Sequence, residues 1–300
     1  MAIAAVAERS VYHPRDPTAS PLWRCLDAHY DAFRGNYPAT FQETHGFFRP
    51  VVDEVVEDYL ECGDLKSGFA RIRCTSPGCG KEMLLAFSCK GRWFCPSCHE
   101  KKVLQFGEFA VGEVLYPVPH CQMVFTLPRM LRVYFRHHRK RLGALCRCAV
   151  ESLESYLRTL LALPDGSVGV IAVIHTFGDY ARFHPHLHLV AADGLFRRNG
   201  VFHVAPRAST QPLEDLFRAR VLKLLRQEGK IDDRQIRSLR GWKHSGFSAY
   251  RGEPISRHDR RAQENLAQYV MRNPFSVEKM TYVPETETVI YRSEMKFRGL

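Results

Sequence analysis

The sequence has no apolar run long enough to cross a membrane, which takes about 18 consecutive apolar residues. Its best run, Val168–Ile174, is only as long as a β-strand. The N-terminal segment MAIAAVAERS has no basic leader and carries Glu8, so it is a poor signal peptide. We see neither internal repeats nor low-complexity tracts. These absences predict a cytoplasmic protein with no membrane partner.

Acidic residues are few relative to basic ones. The 300-residue chain has 32 Asp and Glu against 43 Lys and Arg, a formal net charge of +11. Such an excess favours a polyanionic partner, with nucleic acid first. The ten cysteines, in a reducing compartment, indicate metal binding rather than disulfides.

Changes in composition predict three regions. Residues 1–20 are predicted to form a flexible arm, 21–117 a helical and cysteine-rich domain, and 118–300 a second domain. In the last region strands alternate with helical stretches, which predicts an α/β or α+β layer. The strands are expected at His120–Leu127, Ser167–Phe177, His186–Ala192 and Val201–Ala205, and the helices at Arg129–Leu163, 212–240 and 260–273.

Two close cysteine pairs, Cys74-x4-Cys79 and Cys95-x2-Cys98, are separated by fifteen residues. Each pair can hold one side of a tetrahedral zinc ion, and this spacing predicts a closed structural site like that of a zinc ribbon. The alternative ligands are Cys89 and His99, and more weakly Cys62.

Two basic segments are candidates for DNA contact, and in both aromatic residues interleave with the cations. For the segment beside the cysteines a merely solvated basic face is an equally good interpretation, whereas the stretch from Arg129 favours phosphate contact. The predicted contact residues are Lys90, Arg92, Arg132, Arg136, Arg139, Lys140 and Arg141.

The segment FHPHLHLV places His186 and His188 on one face of a predicted strand, because side chains alternate along a strand. Two imidazoles at this spacing can converge on one ion. A bare His-x-His pair is more often structural. Here a third histidine, His184, lies close by and His175 lies on the preceding strand, which favours a metal site.

A tyrosine in RRAQENLAQYVMRNP is the candidate nucleophile. On a helix, Arg272 lies three residues after Tyr269 and therefore on the same face, where it can stabilise a phosphate. Without the histidine pair, Tyr269 would be interpreted as an ordinary packing residue.

Taken together, VFTLP (124–128), HPHLH (184–188), LAQYVMRNP (266–274) and the upstream FSCKGRWFCPSC (87–98) resemble transposases of the insertion sequence 91 family, which are HUH endonucleases. The resemblance runs from about residue 25 to the end of the chain. It implies an α+β catalytic domain with an antiparallel, RRM- or ferredoxin-like sheet, behind a helical and zinc-ribbon-like N-terminal domain.

The resemblance also implies a chemistry. Mg or Mn would polarise the scissile phosphate of single-stranded DNA at the ends of the element, and Tyr269 would attack it to leave a 5′-phosphotyrosine link and a free 3′-OH. A third metal ligand is expected, with His175 preferred among the candidates His175, His184, Gln268 and Glu264.

Two features depart from the family pattern. Asn265 stands where some members carry a second tyrosine, so the chain resembles a single-tyrosine version. The chain ends at Leu300, soon after the tyrosine helix, which suggests truncation. Two other functions stay open at this point: a zinc-ribbon DNA-binding protein with an inactive catalytic domain, and a metal-dependent phosphodiester hydrolase.

Overall fold

The computed structural model describes residues 16–91, 93–178, 182–242, 244–271 and 273–292. These residues form two compact units. The first combines the described residues up to His99 with those from Ser276 onward, and the second runs from Glu100 to Phe275. The contacts thus divide the chain at 99/100, whereas the sequence prediction placed a functional boundary at 117/118.

The first unit is built from helices and two β-hairpins. Its elements are α1 (Pro21–Thr40), α2 (Gln42–His45), α3 (Val51–Leu60), the hairpin of β1 (Phe69–Arg73) and β2 (Glu82–Ala86), the start of α4 (Pro96–Phe109), and the hairpin of β9 (Met280–Val283) and β10 (Thr288–Tyr291). Its small core contains Tyr59 and three cysteines, packed against Trp23 and its neighbours on α1.

The second unit is organised around a four-stranded antiparallel sheet in the order β4-β5-β3-β8. The strands are β3 (His120–Thr126), β4 (Val170–Phe177), β5 (Phe183–Ala192) and β8 (Ser248–Arg251). A separate hairpin pairs β6 (Gly194–Phe196) with β7 (Phe202–Val204). It turns at Asn199-Gly200, where Gly200 adopts a positive φ of 83°, as this dipeptide predicts.

Helices cover one face of this sheet. They are α5 (Val133–Arg136), α6 (Arg139–Leu161), α7 (Gln211–Gln227) and α8 (Asp233–Arg240), whereas α9 (Arg260–Tyr269) lies on the opposite face. Phe125, Leu187 and Leu189 point from the sheet into a core shared with α6 and α7 and are fully buried. The other face carries α9, whose Leu266 packs with Val190 of β5. The mixed helix and antiparallel-sheet class is confirmed.

The single helix predicted over Arg129–Leu163 is wrong in detail. A short 3-10 turn and α5 precede α6, and His138 separates α5 from α6 with extended backbone angles (φ −131°, ψ 93°). The final helix also ends earlier than expected, at Tyr269. Within the described part of the chain, none of the helices is both long enough and apolar enough to span a bilayer.

Strand β5 begins at Phe183, three residues earlier than predicted, and therefore contains Pro185. The proline is tolerated because the pairing with β4 shifts register by a bulge between His175 and Phe177, and the pairing with β3 ends at His186. No ladder hydrogen bond is therefore required of the proline nitrogen.

Candidate metal centres and active site

Three histidines meet on the sheet face that α9 partly covers. His175 on β4 lies directly opposite His186 on β5, and His188 follows two residues later on the same face. Their ring centroids are 4.6–5.2 Å apart, and one nitrogen from each lies within 4.8 Å of the others. Leu187 faces the opposite side and is buried in the core, so strand alternation aims the three imidazoles at one point.

Hydrogen bonds fix which ring nitrogen faces this point. The Nε2–H of His175 donates to the carbonyl of Val270 at 2.8 Å, and the Nδ1–H of His186 donates to the carbonyl of His184 at 2.8 Å. Each bond fixes the tautomer and the orientation of its ring, as such bonds do for metal-ligating imidazoles. Nδ1 of His188 lies 3.2 Å from the side-chain amide of Gln122 on β3. With a metal on Nε2 of His188, Nδ1 carries the hydrogen, so the amide of Gln122 must turn its oxygen toward Nδ1 to accept this hydrogen bond.

The phenol of Tyr269 lies beside this cluster. Its ring centroid is 5.9 Å from that of His188, and its side chain is 46% exposed. Tyr269 is the last residue of α9, and the next residue, Val270, is buried and accepts the hydrogen bond from His175. The same short segment therefore holds the phenol and one of the imidazoles together.

The other candidate third ligands are directed elsewhere. Glu264 forms an ion pair with Arg260 at 3.0 Å, and Gln268 packs against Gly107 of α4. The ring of His184 is 5.1 Å from that of His186, but it does not belong to the group whose ligand atoms converge. Arg272, predicted to stabilise the phosphate, lies outside the described residues.

Four cysteine sulfurs converge in the first unit, from Cys62, Cys89, Cys95 and Cys98. The sulfur–sulfur distances are 3.6 Å for 62–98 and 3.7 Å for both 89–98 and 62–95. A tetrahedron with Zn–S bonds of about 2.3 Å has edges of about 3.8 Å. The geometry therefore fits a structural zinc ion without rearrangement.

The environment of the sulfurs also suits a cation. Burial raises the pKa of Cys62 to about 11, and the hydrogen bond with Cys95 and burial together raise that of Cys89. Such thiols ionise together only when a cation balances their charge. The backbone N–H of Gly91 donates to the sulfur of Cys89 at 3.3 Å, as Lys90 turns the chain with a positive φ of 53°.

This geometry corrects the ligand set that the sequence favoured, which was Cys74, Cys79, Cys95 and Cys98. Cys74 and Cys79 lie at the tip of the β1–β2 hairpin, beyond the last paired residues Arg73 and Glu82. Cys62 and Cys89 flank its base, where Gly63 and Phe87 are hydrogen-bonded. Five residues of extended strand cover about 17 Å, so the tip cysteines cannot reach the ion that Cys95 and Cys98 would hold. The two residues ranked as alternatives, Cys62 and Cys89, complete the cluster.

The predicted DNA-contact residues differ in how accessible their side chains are. Arg136, Arg139, Lys140 and Lys90 are exposed. Arg132 is half-buried, donates to the carbonyl of Leu127, and has a pKa lowered by burial and by the nearby charge of Arg129.

Arg141 interacts within the fold, and its contact with DNA stays a prediction. Its side chain is 14% exposed, pairs with Glu228 and donates to the carbonyl of Tyr134. Arg92 lies outside the described residues.

Comparison with known proteins places both centres in matched regions. Residues 32–127 match the family described as “Transposase zinc-binding domain”, and residues 169–298 match the family described as “Putative transposase”. The first region contains the four clustered cysteines, and the second contains the three histidines and Tyr269. The chain is therefore similar to transposases in two regions, the first of which resembles their zinc-binding domain.

Curated relatives give the same result. The chain is 32% identical over 158 residues to the “Transposase for insertion sequence element IS801” of Pseudomonas savastanoi pv. phaseolicola, covering 52% of this chain and 37% of that protein. It is 32% identical over 131 residues to “Putative transposase y4qJ” of Sinorhizobium fredii, covering 42% and 31%. The chain thus spans about a third of each relative. No solved structure matches significantly. Both comparisons thus relate the chain to transposases of insertion sequences, through a zinc-binding region and a putative transposase region.

Proposed function

We propose that the chain is a single-tyrosine transposase of the HUH type, which nicks and rejoins single-stranded DNA through a covalent link to Tyr269. The observation that carries the proposal is the 5.9 Å separation between the rings of Tyr269 and His188, on a face where three imidazoles converge. A nucleophile beside a group of side chains that can hold a divalent ion is an arrangement that suits phosphoryl transfer.

The chemistry is a transesterification. The phenol oxygen of Tyr269 attacks the scissile phosphorus, the new bond joins that phosphorus to the tyrosine, and the bond to the 3′ oxygen breaks. The phenol proton is lost and the leaving oxygen gains one, so the products are a 5′-phosphotyrosine link and a free 3′-OH. Reversal by another 3′-OH joins strands. Because one ester replaces another, neither step needs ATP.

His175, His186 and His188 would hold the divalent ion, which polarises the scissile phosphate when bound. Imidazole donors suit transition-metal ions better than Mg²⁺, which prefers oxygen ligands. We therefore favour Mn²⁺ over Mg²⁺. Buried Val270, through its carbonyl, and half-buried Gln122 keep the rings oriented.

Exposed cations offer contacts for the DNA backbone. Arg129 and Arg132 follow the end of β3, where Thr126 lies opposite His186, and Arg136, Arg139 and Lys140 continue the basic segment. The repulsion between guanidinium groups that lie close together is reduced when a phosphate binds to them.

In this proposal residues 21–117 form the zinc-binding, DNA-contacting domain and residues 118–300 form the catalytic domain.

The test is a covalent-adduct assay with a randomised pool of single-stranded oligonucleotides and Mn²⁺. The 3′-labelled fragment should remain attached to the protein on a denaturing gel, and the 5′-labelled fragment should be released with a free 3′ end. Tyr269→Phe should abolish the adduct, because no phenol oxygen remains to attack. His186→Ala and His188→Ala should reduce it strongly.

Tyr116→Phe provides a matched control, since Tyr116 is an exposed tyrosine of the same unit that packs on Phe196. It should form the adduct normally. Cleavage that survives Tyr269→Phe would contradict the proposal and favour a hydrolase that uses activated water. Binding without cleavage would favour a DNA-binding protein with an inactive catalytic domain.

A further inference from the structure

An exposed tyrosine on the edge strand lies on the same sheet face as the histidines. Tyr250 of β8 is 54% exposed. It is paired across the sheet with Val124 of β3, and Val124 is in turn paired with His188 of β5. Residues directly opposite one another in adjacent strands project to the same side. One row therefore runs from His188 through half-buried Val124 to the ring of Tyr250.

The neighbours of Tyr250 fix its orientation. Ala249 is buried in the core beneath the sheet. The guanidinium of Arg251 donates to the buried carboxylate of Asp193 at 2.6 and 3.1 Å and to the carbonyl of Pro206 at 3.0 Å. Because Ala249 and Arg251 are both held on the far face, alternation holds Tyr250 on the histidine face.

The distance suits a neighbouring nucleotide. Adjacent strands lie about 4.8 Å apart, so two strand steps place the backbone of Tyr250 about 10 Å from that of His188. A stacked strand of DNA advances about 3.4 Å per nucleotide. A base held on Tyr250 is therefore one to three nucleotides from a phosphate held at the histidines.

We propose that Tyr250 is a base-stacking residue, which binds one nucleobase of the single-stranded substrate across the open sheet face and so positions the scissile phosphate. The inference rests on the proposed function, to which it adds a residue that binds the single-stranded DNA substrate. A flat, exposed aromatic ring with an apolar residue, Val124, beside it offers a π-face to any base. A duplex would not suit this surface, because its bases are already stacked on one another.

The experiment measures binding of a mixed-sequence single-stranded oligonucleotide with every variant made in a Tyr269→Phe background, so that cleavage does not interfere. Tyr250→Ala should weaken binding by about 5- to 150-fold, since base–aromatic stacking contributes about 1–3 kcal/mol per base. Tyr250→Phe should bind like the parent because it keeps the ring. The salt dependence of binding should be the same in all three, as no cation is removed.

Tyr116→Ala is the matched control, since Tyr116 is similarly exposed at 61% and should be neutral. A 2-aminopurine scan adds position, using the oligonucleotide that forms the adduct. In the parent and in Tyr250→Phe, one base within three nucleotides of the cleavage site should be quenched on binding. That quenching should be lost in Tyr250→Ala.

The inference is overturned if Tyr250→Ala binds as tightly as Tyr250→Phe, or if its loss is matched by Tyr116→Ala. This result is separable from failure of the proposed function. If the adduct forms through Tyr269 but Tyr250→Ala binds normally, only the stacking role is wrong. If no adduct forms, the transposase proposal fails, whereas the affinity comparison still tests Tyr250.

Discussion

The cysteine cluster and the histidine cluster differ in how much of the ligand shell the protein supplies. Four sulfurs surround one point in the first unit, and two of the cysteines, Cys62 and Cys95, are almost fully buried. Three imidazoles meet in the second unit, where His186 is half-buried and Tyr269 beside them is exposed. A closed shell leaves no position for a substrate, whereas an open one does. We therefore expect stability from the first centre and chemistry from the second.

Removing one ligand from each centre should separate these roles most strongly. Cys98→Ser should abolish zinc binding and unfold the first unit, because structural zinc contributes roughly 10–16 kcal/mol of apparent binding free energy to folding. Elemental analysis and limited proteolysis measure the two effects. His188→Ala truncates a buried side chain and should lower thermal stability far less than Cys98→Ser does. It should nevertheless lower adduct formation by about a hundredfold or more, since the loss of even an outer-sphere partner lowers metal affinity or activity by about 10- to 100-fold.

Cys79→Ser serves as the control within the cysteine set. It lies at the hairpin tip, so it should keep its zinc and its protease resistance. Loss of zinc in Cys79→Ser with retention in Cys62→Ser would reverse our assignment and restore the ligand set first predicted from the sequence.

The next largest effect concerns how the histidines are oriented. Gln122→Leu removes the hydrogen-bond partner of His188, so the concentration of Mn²⁺ needed for half-maximal adduct formation should rise by about 10- to 100-fold. Gln122→Glu, which offers a stronger acceptor, should bind Mn²⁺ at least as tightly as the parent. In the cysteine centre a backbone group, the N–H of Gly91, donates to a sulfur instead, and a side-chain substitution does not remove this hydrogen bond.

Identical Mn²⁺ activation in the Gln122→Leu and parent proteins would contradict this orienting role. In that case the carbonyl of Val270 and the packing of α9 alone would position the rings.

Strand periodicity was sufficient to predict the histidine centre. The spacing of His186 and His188 is local, and their common face follows from alternation alone. His175 became a good candidate because its predicted strand was adjacent in sequence. Gln122 was missed, because its contact with His188 depends on the register between β3 and β5, which no local pattern in the sequence records.

The cysteine centre shows the opposite case. Cys74-x4-Cys79 has the spacing of a metal-binding pair, but the hairpin that separates it from Cys95 is too long for both pairs to share an ion. Cys62 and Cys89 are 27 residues apart, and only antiparallel pairing of β1 with β2 brings their positions together. Local spacing predicted a zinc site, and tertiary pairing determines which four sulfurs converge.

The smallest predicted effect tests the helix that carries the proposed nucleophile, Tyr269. Gly107 of α4 is buried, and a Cβ there would lie 2.7 Å from Cγ of Gln268, one residue before Tyr269. Gly107→Ala should therefore displace the end of α9 and slow adduct formation several-fold, even though alanine is the better helix former by about 1 kcal/mol. Gly143→Ala is the matched control, because nothing lies within 4 Å of its added methyl group, and it should leave the rate unchanged. A double variant that adds Gln268→Ala to Gly107→Ala removes the clash and should restore the rate of adduct formation. A double variant that is as slow as Gly107→Ala alone would show that this contact does not position the phenol.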